Sequence, residues 1–221
     1  MIIKPAEIIH PPYLKTETDN RRWEFDFKNE QIVTYDRQVD ILFIGDSITH
    51  LWELNANFRH FGYIVNRGIS GDRVNHLSQR FMGDAVQLKP RLTVLMIGVN
   101  NTWEACDGSM TPDEVHDLFE EHYRKILTMA QENNMKILPC SVMPARCNSP
   151  LQDKLIQRMD TTLQALCKEF GYEYVDYYTQ MVAEDGHTYP EMYSTDGLHP
   201  NAIGYNKMVE ILMPYLEDHL A

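Results

Sequence analysis

Five short apolar runs, each followed by a polar or amphipathic stretch, constrain this chain more than any other feature. They cover residues 41–44, 63–66, 92–97, 136–140 and 174–176. Runs this short, bracketed by polar residues, read as strands buried on both faces. Between them the apolar spacing changes. Val74, Leu77, Phe81, Ala85 and Leu88 recur at helical intervals and stop at Lys89-Pro90. A second helix carries Val115, Leu118, Phe119, Ile126 and Ala130. It begins at Thr111-Pro112-Asp113-Glu114, which combines a threonine cap, proline at the first helical position and glutamate three after the cap. Leu151, Leu155, Ile156, Met159, Leu163, Leu166 and Phe170 mark a third helix, ended by Gly171. A last one covers residues 202–215, with Ile203, Met208, Ile211 and Leu212 facing inward and Pro214 near its end. Strands alternating with helices predict a parallel sheet covered on both faces, a three-layer α/β/α fold with right-handed crossovers.

The chain of 221 residues, 43% of them hydrophobic, suits one domain with a full core. Residues 1–18, with Pro5, Pro11 and Pro12, read as an extended arm. Residues 19–37 predict a helix leading into the first strand, although Trp23 to Phe27 also alternates like a strand. With no repeat or linker in view, residues 1–221 form a single domain, 1–39 packing on a core of 40–221. The formal net charge of −12 makes the chain a poor nucleic-acid binder and repels it from anionic membranes. No stretch approaches the ~20 apolar residues that span a bilayer. The opening apolar run breaks at Lys4, unlike a signal peptide, so a soluble cytoplasmic protein is expected. Cys106, Cys140, Cys147 and Cys167 form no C-x-x-C pair and no zinc-finger spacing, and Cys140 and Cys167 fall in core patterns. No metal or cofactor is implied. A homo-oligomer is neither required nor excluded by the residues.

The first strand runs into Gly45-Asp46-Ser47-Ile48-Thr49-His50. Gly45 tolerates a sharp bend, and Ser47 then stands where strand hands over to helix. A serine there is either a helix cap or, with a base in reach, a nucleophile. In a parallel sheet the loops after the carboxyl ends of the strands share one rim, where ligands bind. Chain order puts Ser47, Gly68, Asn100, Asp196 and His199 in such loops. In Asp196-Gly197-Leu198-His199-Pro200 a carboxylate precedes a histidine by one tight turn. It can accept from Nδ1–H and leave Nε2 as a base, or the segment can be an ordinary Asx turn. Acyl transfer also needs donors for an oxyanion. The Ser47 N–H, the Gly68 N–H and the Asn100 amide are the candidates. Asp46, Trp103 and Arg146 are candidate pocket residues, with Asp46 also fit to tie down the turn. His187 and Tyr189 lie in a further loop that can wall the pocket. His50, His116 and His122 fall in predicted helices, as structural residues.

Gly45-Asp46-Ser47-Ile48, Gly68 in Asn66-Arg67-Gly68, Gly98-Val99-Asn100 and Asp196-Gly197-Leu198-His199-Pro200 resemble the four blocks of the GDSL, or SGNH, hydrolases, over residues from about 40 to 205. Gly68-Ile69-Ser70-Gly71-Asp72 and the doubled Asn100-Asn101 look most like the branch holding platelet-activating factor acetylhydrolase catalytic subunits and related bacterial esterases. The resemblance implies a flavodoxin-like five-stranded sheet of order 2-1-3-4-5. It implies Ser47 as nucleophile, His199 as base, Asp196 as its orienter, and Ser47, Gly68 and Asn100 as oxyanion donors. Ile48 replaces the leucine of the block name. Asn101 stands where many members have aspartate, which leaves its supporting role open. The function implied is hydrolysis of a small acyl ester, an acetyl ester first, of a carbohydrate or other alcohol, with no cofactor. A thioesterase or lysophospholipase with the same triad is the alternative. A non-catalytic flavodoxin-like binding module is a third reading, disfavoured for phosphate by the negative charge of Asp46.

Overall fold

The computed structural model describes residues 4–12, 19–145, 150–182 and 190–220. Four strands, β1 (Ile41–Gly45), β2 (Ile64–Gly68), β3 (Leu92–Met96) and β4 (Ile137–Pro139), pair in parallel in the order β2-β1-β3-β4. Every residue of β1 and β3 is buried, as continuous apolar runs require when helices cover both faces. Gly45, the last residue of β1, pairs with Gly68 on one side and Met96 on the other. The three strands therefore end level, and the loops that follow them open onto a common rim.

The expected fifth strand is reduced to a single bridge. Val175 pairs with Cys140, its N–H donating to the Pro139 carbonyl at 2.9 Å and its own carbonyl accepting from Ser141 N–H at 2.9 Å. The ladder cannot extend backward, because the next donor on that edge would be the N–H that Pro139 lacks. It cannot extend forward either, because the Ser141 hydroxyl oxygen accepts the Tyr177 and Tyr178 N–H groups at 3.0 and 2.9 Å. The position beside β4 still matches the order 2-1-3-4-5.

Around the sheet run α1 (Asp19–Thr34), α2 (Ser47–Leu51), α3 (Leu54–Phe58), α4 (Val74–Asp84), α5 (Thr102–Cys106), α6 (Pro112–Glu132), α7 (Pro150–Phe170), α8 (Tyr178–Met181) and α9 (Ala202–Leu220). Helix α6 packs between α4 and α7, and α1 lies beside α4. The start of α6 is the reciprocal box read from the sequence: Glu114 N–H donates to Thr111 Oγ1 and Thr111 N–H to the Glu114 carboxylate. Such a cap contributes about 1 kcal/mol.

The helical stretch that begins at Ser47 is not one helix through Phe58 but two. Trp52 adopts an extended conformation with ψ 125° between α2 and α3. The break lets Trp52, Leu54 and Phe58 all be buried, the Trp52 ring meeting Phe43, Phe58 and Tyr205 at 5.7, 5.5 and 5.6 Å. The last helix runs beyond residue 215 to Leu220, through Pro214, which forgoes one intrahelical bond without ending it. Among the described residues no helix is long and apolar enough to cross a membrane.

Candidate active site

Asp46 begins the site. Its carboxylate accepts the Ile48 N–H at 2.9 Å and caps α2, and its carbonyl accepts from His50 N–H. The capping role that a serine at this junction can fill is thus taken by its neighbour, and Ser47 is left as the first residue of the helix. Asp46 is 1% exposed, so it braces the turn from below and does not line a pocket. Burial pushes its carboxyl up to about 7, with the Ile48 hydrogen bond opposing and Asp72 adding to the rise. Gly45 is required by crowding: a Cβ there would lie 2.0 Å from the Met96 carbonyl oxygen.

The Ser47 hydroxyl lies 2.8 Å from His199 Nε2, across 152 positions of sequence. His199 Nδ1 lies 2.7 Å from Asp196 Oδ2. An ionised carboxylate only accepts, so Nδ1 carries the proton and Nε2 is the acceptor that faces Ser47. The other oxygen, Asp196 Oδ1, accepts from Leu198 N–H at 2.9 Å, His199 N–H at 3.0 Å and Ser194 Oγ at 2.5 Å. Partial burial works against the charge on Asp196. The hydrogen bonds from Ser194, the His199 ring and the two backbone amides outweigh it and hold the carboxyl well below the usual range.

This loop is anchored by Asn201, whose amide donates to the carbonyls of Glu191 and Tyr193 while its oxygen caps α9 through Ile203 N–H and Gly204 N–H. A bridge between Tyr193 and Pro200 closes its base. Tyr205, one turn into α9, donates to the Ile48 carbonyl at 2.8 Å and so ties the His199 side of the rim to the Ser47 side.

Two donor positions read from the sequence fall differently. Asn100 is 8% exposed and gives one amide hydrogen to the Asp72 carbonyl at 2.9 Å, which leaves its second hydrogen for a ligand. The Gly68 N–H is already taken, donating to Asn66 Oδ1 at 2.9 Å. Gly68 is needed for a different reason: a Cβ would lie 2.3 Å from the backbone nitrogen of His50, so β2 can touch α2 only through a glycine. Gly71, three residues on in the same loop, is exposed with φ +79°, and its N–H makes no hydrogen bond among the described residues. Periodicity and spacing pass over this glycine, because the Asn66 side chain that occupies Gly68 reaches forward unseen.

Asn101 is fully buried and its oxygen accepts the Val74 N–H at 3.0 Å at the start of α4, which gives this residue the supporting role the sequence left open. Trp103 is 37% exposed on α5, directly after the Asn100 turn. Arg146, His187 and Tyr189 lie outside the described residues. The histidines expected in helices are engaged there: His50 Nδ1 lies 2.9 Å from Ser70 Oγ, His116 Nε2 2.8 Å from Thr162 Oγ1 and His122 Nδ1 2.7 Å from Ser78 Oγ.

Residues 43–207 match the model of the GDSL-like lipase/acylhydrolase family. The chain belongs to this family. As an acylhydrolase of that kind it is 24% identical over 193 residues to an acetylxylan esterase of Geobacillus stearothermophilus, covering 75% of this chain and 88% of the relative. It is 26% identical over 207 residues to the platelet-activating factor acetylhydrolase IB subunit alpha2 of Rattus norvegicus, covering 89% and 86%. Among solved structures it superposes on a GDSL-like lipase of Bacteroides thetaiotaomicron with TM-score 0.76 and 26% identity, over 90% of this chain and 98% of that one. The α/β architecture with its parallel sheet is the fold of these acylhydrolases.

Proposed function

We propose that this acylhydrolase is a serine esterase that removes small acyl groups, acetyl first, from esters of carbohydrates. The observation that carries the reading is the unbroken relay from Asp196 Oδ2 through His199 to the Ser47 hydroxyl, with links of 2.7 and 2.8 Å. His199 Nε2 takes the hydroxyl proton as Ser47 Oγ bonds to the ester carbonyl carbon. The negative charge gathers on the carbonyl oxygen, facing the Ser47 N–H, the free Asn100 amide hydrogen and the Gly71 N–H, which takes the place expected for Gly68. The imidazolium then gives its proton to the alcohol oxygen as the C–O bond breaks, and the acyl group stays on Ser47. Water attacks in the second half, His199 again accepting the proton. The carboxylic acid leaves and the Ser47 hydroxyl is restored.

The acyl preference is supported by the two named activities among the relatives, acetylxylan esterase and platelet-activating factor acetylhydrolase, which share acetyl and differ in the alcohol. A panel of acetylated sugars, acetylated xylo-oligosaccharides and 4-nitrophenyl esters of rising chain length tests both parts. Turnover is expected to peak at acetyl and to favour the sugar acetates. The Ser47→Ala variant is expected to lose kcat by about 10⁶, down to the residual rate that binding and the oxyanion donors provide alone. Turnover by Ser47→Ala comparable with the wild type would remove Ser47 as nucleophile.

A further inference from the structure

We propose that Arg80 is a positioning residue that sets the spacing of the oxyanion donors without touching substrate. The proposal rests on the Ser47 esterase reading and names what holds its machinery in register. Arg80 sits on α4 at 4% exposure, beneath the rim. Its guanidinium makes four hydrogen bonds and one further close ion-pair contact. Nε donates to Asp72 Oδ2 at 2.8 Å, and Nη2 lies 2.6 Å from the same oxygen. Nη2 also donates to the Gly45 carbonyl at 3.0 Å. Nη1 donates to the Arg67 carbonyl at 3.0 Å and to Asp84 Oδ2 at 3.2 Å.

These acceptors are not scattered. Gly45 ends β1 two residues before Ser47, and Arg67 is the penultimate residue of β2, at the entry to the loop that carries Gly71. Asp72 follows Gly71, and its carbonyl receives the Asn100 amide at 2.9 Å. One planar cation therefore joins the two segments that bear the Ser47 N–H and the Gly71 N–H, and reaches the Asn100 amide through Asp72, whose carbonyl that amide holds. A guanidinium suits this task because its donors diverge in fixed directions, whereas an ammonium offers three from one point. The charge is needed too. Asp72 and Asp84 are 1% and 0% exposed; Asp84 also has Arg22 at 3.4 Å and Asn29 at 3.0 Å, and Asp72 has His76 at 3.7 Å, but Arg80 is the cation that bridges the two buried carboxylates.

The same network supplies its own control. Arg22 is 2% exposed, lies 3.4 Å from Asp84 and 2.6 Å from Asp26, and makes no hydrogen bond or ion pair to a rim segment among the described residues. The test uses the full chain carrying Arg80→Lys, Asp72→Asn, Arg22→Lys or Ser47→Ala, with kcat, KM and the thermal midpoint measured on 4-nitrophenyl acetate. Arg80→Lys and Asp72→Asn are expected to lower kcat about ten- to a hundredfold, the scale of misplaced reacting groups, with KM changed less than about twofold. Arg22→Lys is expected to lower the thermal midpoint and leave kcat at the wild-type value. If Arg80→Lys does not fold, Asp72→Asn carries the test, since it weakens the same junction and keeps the Asp72 carbonyl. Wild-type kcat in Arg80→Lys and Asp72→Asn would overturn the proposal. So would a fall in kcat for Arg22→Lys in proportion to its lost stability, because the effect would then be general loosening. Ser47→Ala separates the two levels: turnover there ends the esterase reading whatever Arg80 does.

Discussion

In the proposed relay His199 acts as a base in only one tautomer, and the contact with Asp196 selects it. The side-chain amide of asparagine at 196 would present a donor to Nδ1 and move the ring proton to Nε2, the nitrogen that must accept from Ser47. Asp196→Asn is therefore expected to lower kcat by about 10⁴, in line with the cost of a wrong tautomer in such triads, with the fold intact by circular dichroism. The four hydrogen bonds on Asp196 also bear on pH. Its folded carboxyl titrates below the unfolded one, so what it adds to stability is present above the unfolded value and fades as pH falls toward the folded one. The side chain is half exposed, and solvent screening keeps that contribution small. Over the working range Asp196 stays charged and keeps accepting from His199 Nδ1. The contact between Asp196 and His199 was readable from residue order, because aspartate and histidine one tight turn apart need no distant help to meet. Gly68 was misread for the opposite reason: whether an amide is free depends on where the Asn66 side chain lies, and spacing carries no such information.

Asp160 shows the same limit at the level of an element. On the helical wheel of α7 it looks like one more polar position, yet it is 4% exposed, and its oxygen accepts the Val142 N–H at 2.8 Å, pinning the segment that follows β4. Burial pushes its carboxyl up to about 7, against the pull of that hydrogen bond. An unfolded aspartate titrates near ~3.9, so the folded state keeps a proton that the unfolded state releases across the window from there to about 7. Stability attributable to this group thus falls as pH rises through that window. Asparagine keeps the accepting oxygen and never ionises. Asp160→Asn is expected to melt at a progressively higher temperature than the wild type as pH goes from about 5 to about 8, each kcal/mol recovered giving roughly 2–4 °C. A difference in midpoint that stays constant with pH would contradict this account. The strands and the long amphipathic helices were legible because a buried face imposes its own period on the residues. The fifth strand and the helix after Ser47 were legible only in part. One is cut short by the missing N–H of Pro139 and the hydroxyl of Ser141, and the other breaks so that Trp52 can reach Tyr205 on a helix some 150 positions away.

For the whole molecule the relevant quantity is the formal charge of −12, which surrounds a site whose own anions are buried or hydrogen-bonded. A field of that sign lowers the local concentration of anionic substrates and leaves neutral ones untouched. Acetylated neutral sugars meet no such barrier, which agrees with the proposed substrate class. Added salt shortens the Debye length from about 30 Å at ~0.01 M to about 8 Å at ~0.15 M and removes the long-range part of the repulsion. Two acetyl esters of similar leaving-group acidity, one neutral and one carrying a carboxylate away from the reacting bond, are the right pair to compare. The kcat/KM of the anionic ester is expected to rise several-fold across that range of ionic strength, while that of the neutral ester stays level. Because the proposed triad would see the same acetyl carbonyl in both, parallel salt responses would place the effect in the chemical step and not in the approach of the substrate.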